Sequence, residues 1–165
     1  MNTNDKTISV LNHLIGISKD GQKGFANAAE HVKRPDLKTV FSEYSKKCAS
    51  GATELQALVT NLGGDAKSDG TVGGALHRGL VDVKAAVAGH SDLAVLEECE
   101  KGEDVAKKAY SNALNEQIPQ NIRDVISRQN TEVLEHHDKV RDLRNAARAS
   151  FAGECSPQVG GPVRS

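Results

Sequence analysis

A chain of 165 residues, 38% apolar and 26% charged, is long enough for one domain with a buried core. Aromatic residues make up only 3% and Trp is absent, which excludes a nucleic-acid surface or sugar site built on stacked rings. A formal net charge of −1 excludes a dedicated polyanion binder, so no nucleic-acid partner is expected.

The first ten residues, MNTNDKTISV, are polar and lack the basic start and apolar core of a signal peptide. No apolar run approaches ~20 residues, so no membrane partner is expected. Cys48, Cys99 and Cys155 show neither CxxC nor Cys/His finger spacing. Free thiols in a reducing cytoplasm are the simplest reading.

Apolar residues recur at helical spacing, and no alternating strand pattern competes with them. A first helix is expected from Asp5 to Val32, with Ile8, Leu11, Ile15, Ser18, Gln22, Phe25, Ala29 and Val32 on one face. Gly16, Gly21 and Gly24 each weaken it by up to ~1 kcal/mol relative to Ala. Most of them fall off the apolar stripe, so close helix approach does not account for them, and a kink is the alternative.

Pro35 suits the first turn of a second helix, and Asp36 suits its positive end. Leu37, Val40, Phe41, Tyr44, Cys48, Gly51, Leu55, Leu58 and Leu62 form its inward face, and Gly63-Gly64 ends it. The connection from Gly63 to His90 is long. It carries a short amphipathic helix marked by Val72, Leu76, Leu80, Val83 and Val87, with Thr71 as N-cap and Gly89 after its end. A helix of ~17 residues covers ~25 Å, enough to bring the chain back along most of a bundle.

Ser91 caps a third helix that runs to about Glu116. Leu96, Cys99, Glu103, Ala106, Tyr110 and Leu114 share its inward face, with Glu100 on the border. Pro119 opens a fourth helix with the stripe Ile122, Ile126, Gln129, Val133, His136, Val140 and Leu143, fading near Ala147. The expected fold is therefore all-α: an antiparallel four-helix bundle over residues 1–148, with an additional short helix in the crossover between helices two and three. Residues 149–165, rich in Gly, Pro and Ser, are expected to form a disordered tail.

The inward faces carry a polar layer: Ser18, Gln22, Tyr44, Cys48, Glu100, Glu103, Tyr110, Gln129 and His136. A buried carboxylate needs a partner or an ion. One reading is a metal site on Glu100, Glu103 and His136, with Tyr44 and Tyr110 as surrounding hydrogen-bond donors. The other is a closed network in which Glu103 bonds His136, Tyr44 or Tyr110. Di-iron bundles supply a Glu from each of two helices and Glu-x-x-His from each of the other two. Here Glu132 precedes His136 by four residues, and Asp20, Glu43 and Glu54 fall to the side of helices one and two.

His136 is expected inward and His137 at the rim beside Asp138, since neighbours on a helix diverge by ~100°. Cys48 and Cys99 are expected in the core. Gly73-Gly74, at the start of the crossover helix, is the one place where an anion is conceivable.

Several stretches together resemble a known family: FSEY at 41–44, EL at 54–55, LGG at 62–64, GALHR at 74–78, ECEKGED at 98–104 with Tyr110, and HDKVRDLR at 137–144. From about Asp5 to Arg144 the chain is similar to an uncharacterised bacterial family of ferritin-like four-helix-bundle proteins, a domain of unknown function. The resemblance implies a ferritin-related bundle in the bacterial cytosol and no established activity. Ferritin-like ligands are not carried over, because the paired Glu-x-x-His pattern is absent.

The expected function is that of a non-catalytic cytoplasmic helical bundle without a cofactor, acting through helix-face or homo-oligomeric association. The alternative is a protein that binds iron or another divalent metal at Glu100, Glu103 and His136, with oxidase-like chemistry. A third reading is a stress-related module whose protein partner docks on the crossover helix near His77 and Arg78.

Overall fold

The computed structural model describes residues 2–70 and 91–154. Among them are four helices: α1 (Thr3–His31), α2 (Pro35–Asn61), α3 (Asp92–Leu114) and α4 (Gln120–Glu154). The expected crossover helix, with Gly73-Gly74, His77 and Arg78, and Cys155 in the expected tail lie outside the described residues.

The helix ends follow local chemistry. The Asn2 side chain accepts from the Asn4 N–H at 3.2 Å and caps α1. Pro35 sits in the first turn of α2. That helix stops at Gly63, whose φ of +77° suits glycine. The left-handed turn lets the Gly63 and Gly64 N–H groups reach back to the carbonyls of Thr60 and Val59, at 2.9 and 3.0 Å. Ser91 caps α3, its hydroxyl accepting from the Ala94 N–H at 3.4 Å. The Arg123 guanidinium closes the other end of α3 by donating to the carbonyls of Leu114 and, at 2.7 Å, Glu116.

α4 continues beyond the expected fade near Ala147, through Ser150 and Phe151, to Glu154. Ala146, Ala147, Ala149 and Ala152 are good helix formers, and no Pro interrupts them. The first six residues of the expected tail are thus helical.

Contacts fix the topology. Gly21 faces Cys48 and Phe25 faces Phe41, so α1 and α2 are antiparallel. Tyr110 meets Gln129 while Asp104 meets His137, so α3 and α4 are too. The hairpins join where α1 runs antiparallel to α3 (Lys6 with Glu116, Ser18 with Tyr110) and α2 antiparallel to α4 (Glu54 with Arg128, Tyr44 with His136). α2 and α3 are therefore parallel, as a long crossover requires. Leaving α2, the chain lies across α1: Asn12 holds it through the Asp65 carbonyl and the Lys67 N–H, at 3.0 and 2.8 Å. Asp20, expected at the side of α1, is buried. A Cβ on Gly70 would stand 2.1 Å from its Oδ1, so the backbone entering the crossover presses directly on it.

The core falls into two lobes. Leu11, Leu14, Ile15, Leu55, Val59 and Ile126 are fully buried in one, and Leu37, Phe41, Leu96 and Val140 in the other. Full burial of each such large side chain contributes roughly 1.5–3 kcal/mol. The expected polar layer lies between the lobes.

Candidate functional site

Between the lobes is a cavity of about 60 Å³, room for several water molecules. Small residues make it. α1 lines it with Ser18, Gly21 and Gly24, α2 with Cys48 and Gly51, and α3 with Gly102 and Ala106. The glycines of α1 that have no place on the apolar stripe have one here: Gly21 and Gly24 are cavity wall. At Gly21 the helices also approach closely, since a Cβ there would meet Cys48 Sγ at 3.0 Å. At Gly51 a Cβ would make only ordinary contact, 3.6 Å from the Gln129 amide.

Two polar side chains on this wall stand out. Glu103 is 5% exposed and its Oε2 has no hydrogen-bond partner; His136 is also 5% exposed and its Nε2 has none. Burial, reinforced by the neighbouring Asp104 charge, pushes the Glu103 carboxyl up to about 8. Burial, with Lys47 nearby, pushes His136 down to about 4. Both side chains are therefore mainly neutral at pH 7. The expected closed network around Glu103 is replaced by one that passes it by. Tyr110 is 3.3 Å from the Ser18 hydroxyl and donates to Gln129 Oε1 at 2.8 Å. Gln129 donates in turn to the Gly51 carbonyl at 3.3 Å and to Glu54 at 3.1 Å. Glu54 pairs with Arg128 at the surface. Tyr44 stacks on His136 instead of bonding Glu103.

Of the three expected metal ligands, Glu103 and His136 reach the same cavity. Glu100 does not line it and pairs with Arg144. Among the described residues no three His, Cys, Asp or Glu side chains gather closely enough to hold a metal ion. A di-iron centre does not fit: where it needs acids from α1 and α2, the wall offers Ser18, glycine and Cys48. Gln22 is also absent from the wall; its carbonyl accepts from the Ser45 hydroxyl at 2.7 Å. His137, expected at the rim, is buried, with its Nε2 2.7 Å from Asp104. Cys48 and Cys99, expected in the core, line the cavity, Cys99 buried and Cys48 half-buried. Burial foremost, then the Glu103 charge, pushes both thiols far above their usual range, so neither is a thiolate nucleophile at neutral pH.

Sequence reasoning missed Lys47, Glu98 and Glu132 on the wall. It also missed the glycines as a group, although Gly21, Gly24, Gly51 and Gly102 all fall near mid-helix.

A family described as a domain of unknown function (DUF2383) matches residues 6–116. None of the curated proteins matches the chain. Among solved structures, it is similar to a two-domain protein from Anabaena variabilis that contains DJ-1/ThiJ/PfpI-like and ferritin-like domains. The TM-score is 0.70 at 11% identity, covering 99% of this chain and 42% of that one. This chain thus spans less than half of that protein. The likeness gives the fold, a ferritin-like four-helix bundle. No helix among the described residues is long and apolar enough to cross a membrane.

Proposed function

This chain belongs to the DUF2383 family of unknown function, and we propose that it is a non-catalytic binding protein that holds a small molecule in the cavity between its two core lobes. One observation carries the reading: Glu103 Oε2 and His136 Nε2, both buried and without partners, stand on one cavity wall. An unmet buried polar atom costs on the order of 1–3 kcal/mol, and a ligand's polar end would recover that cost. The glycines add support. Each mid-helix glycine costs up to ~1 kcal/mol relative to Ala, and breaches of helix preference are expected at functional sites.

The test is ligand-observed NMR and calorimetry with small amphipathic probes, on the native chain and on Val133→Phe, which fills the cavity. Binding that Val133→Phe removes while the helical circular dichroism is kept supports the reading. No binding by any probe sinks it.

A second reading is a weakly held divalent ion, iron or another, on Glu103 and His136. The same two partnerless atoms favour it. Metal quantified after purification without chelator, and lost in Glu103→Ala, would support it; none after loading would end it.

A further inference from the structure

The cavity wall carries more unmet hydrogen-bonding capacity than the Glu103–His136 pair. Glu98, on α3 one turn and a residue before Glu103, also lines it, and its Oε2 is buried without a partner. Its other oxygen accepts from Lys101 at 2.7 Å, so the carboxylate is tethered at the edge with one face turned from solvent. Three partnerless atoms thus belong to side chains of one cavity: two carboxyl oxygens and a ring nitrogen.

Their chemistry defines a complement. Glu103, neutral in the empty cavity, gives up its proton beside a bound cation; the carboxylate then only accepts hydrogen bonds, as does a neutral imidazole nitrogen without its proton. A primary ammonium carries three donors and no acceptor. Composition points the same way: among the described residues the wall holds three acids, Glu98, Glu103 and Glu132, against Lys47 and the neutral His136. Apart from Tyr110 and Gln129, which bond each other, the rest of the described lining is apolar or small, including Ile17, Ala106 and Phe25. A metal ion would need its ligand atoms within ~2.0–2.6 Å of one point. The described residues provide no such group of three His, Cys, Asp or Glu side chains. An organic ammonium is less demanding, since its hydrogen bonds span ~2.7–3.2 Å and its carbon body fills the space beside the glycines.

We propose that the cavity binds a small organic amine in its protonated form, with its N–H groups on Glu103, His136 and Glu98 and its alkyl body against Gly21, Gly24 and Ala106. This rests on the small-molecule reading above and narrows it to one ligand class.

The test compares butylamine, butanol and butyrate, equal in carbon body and different in head group, by calorimetry on the full chain. Butylamine should bind about tenfold or more tightly than butanol, and butyrate should bind most weakly. Glu103→Gln, nearly the same shape, should remove about tenfold or more of the butylamine affinity while leaving butanol unchanged. Glu98→Gln should give a smaller loss and serves as the second variant if Glu103→Gln does not fold. Equal binding of butanol and butylamine, or butylamine binding indifferent to both substitutions, overturns the amine proposal and leaves the small-molecule reading standing. Binding of none of the three overturns both.

Discussion

The His136 imidazole lies flat on the Tyr44 ring, with centroids 3.8 Å apart and planes 20° apart. Phe25 meets both rings edge-on, so aromatic residues of α1 and α2 set the orientation of a side chain on α4. Tyr44→Phe keeps the stack and should change stability by less than about 1 kcal/mol. Tyr44→Ala should cost about 3–5 kcal/mol, as removal of a buried aromatic does. It should also let water reach His136 and raise its pKa from about 4 toward the ordinary 6.5. Denaturant unfolding and an NMR titration of the ring protons read the two effects. An unmoved His136 pKa in Tyr44→Ala would mean that the stack does not shield the ring.

Stability should depend on pH through two opposed groups. Glu103 has a raised folded pKa, so between 4.5 and about 8 the native state holds a proton that the unfolded chain has lost, and stability falls as pH rises. His136 has a lowered one, so between about 4 and 6.5 the unfolded chain holds the extra proton, and stability falls as pH drops. The slopes cancel from 4.5 to 6.5, and the Glu103 slope alone remains up to about 8. Over that upper interval the ligand-free protein should lose about 2 kcal/mol relative to Glu103→Gln. On the acid side, His136→Gln should leave the Glu103 slope uncompensated, so its stability should rise as pH drops from 6.5 to 4.5, where the native chain's stays level. Parallel curves for native chain and Glu103→Gln from pH 6.5 to 8 would refute the assignment.

Cavity glycines should differ according to the room around each. Gly51→Ala adds a methyl group at ordinary contact distance and removes a helix penalty, so it should stabilise by about 0.5–1 kcal/mol while weakening ligand binding. Gly21→Ala must displace Cys48 Sγ at 3.0 Å, so its propensity gain should be offset and its net effect no better than neutral. Thermal melts of both, with a binding measurement on Gly51→Ala, check this. A stabilised Gly51→Ala that binds as tightly as the native chain would place the ligand elsewhere.

How far the chain was legible in advance follows from the range of each signal. Helix periodicity and caps act within a few residues, so Ser91, Pro35 and Gly63 marked their boundaries correctly. The end of α4 was missed because Ser, Gly and Pro in the tail as a whole outweighed the alanines just before it. Facing residues depend on the rotation of four helices at once. A wheel placed Glu103 and His136 inside, yet it could not see Arg144 drawing Glu100 aside or Gln129, not Glu103, accepting from Tyr110. It also treated glycines as defects of one helix, whereas their role emerges only when Gly21 of α1, Gly51 of α2 and Gly102 of α3 line one cavity.

The polar chain from Ser18 to Arg128 should weaken unevenly when cut. Gln129→Leu removes the acceptor of the Tyr110 hydroxyl inside the bundle and should cost about 1–3 kcal/mol. Arg128→Ala cuts the surface end, where both partners are well exposed, and should cost less than about 1 kcal/mol. Chemical denaturation of the two variants gives the comparison; equal losses would show that the buried link has no special weight.

At the closed end of the N-terminal hairpin the Lys33 and Arg34 N–H groups donate to the two oxygens of Asp92, at 2.8 and 3.1 Å. Asp92 also occupies the first turn of α3, where its charge favours the helix. One carboxylate therefore acts as a registration pin between the two halves of the molecule. Sliding α3 against α1 by a single turn, about 5.4 Å, would break both bonds and carry Gly102 and Glu103 past Gly21 and Gly24. The alignment of the cavity's two halves is thus locked from the end of the bundle, by a residue that never touches what the cavity holds.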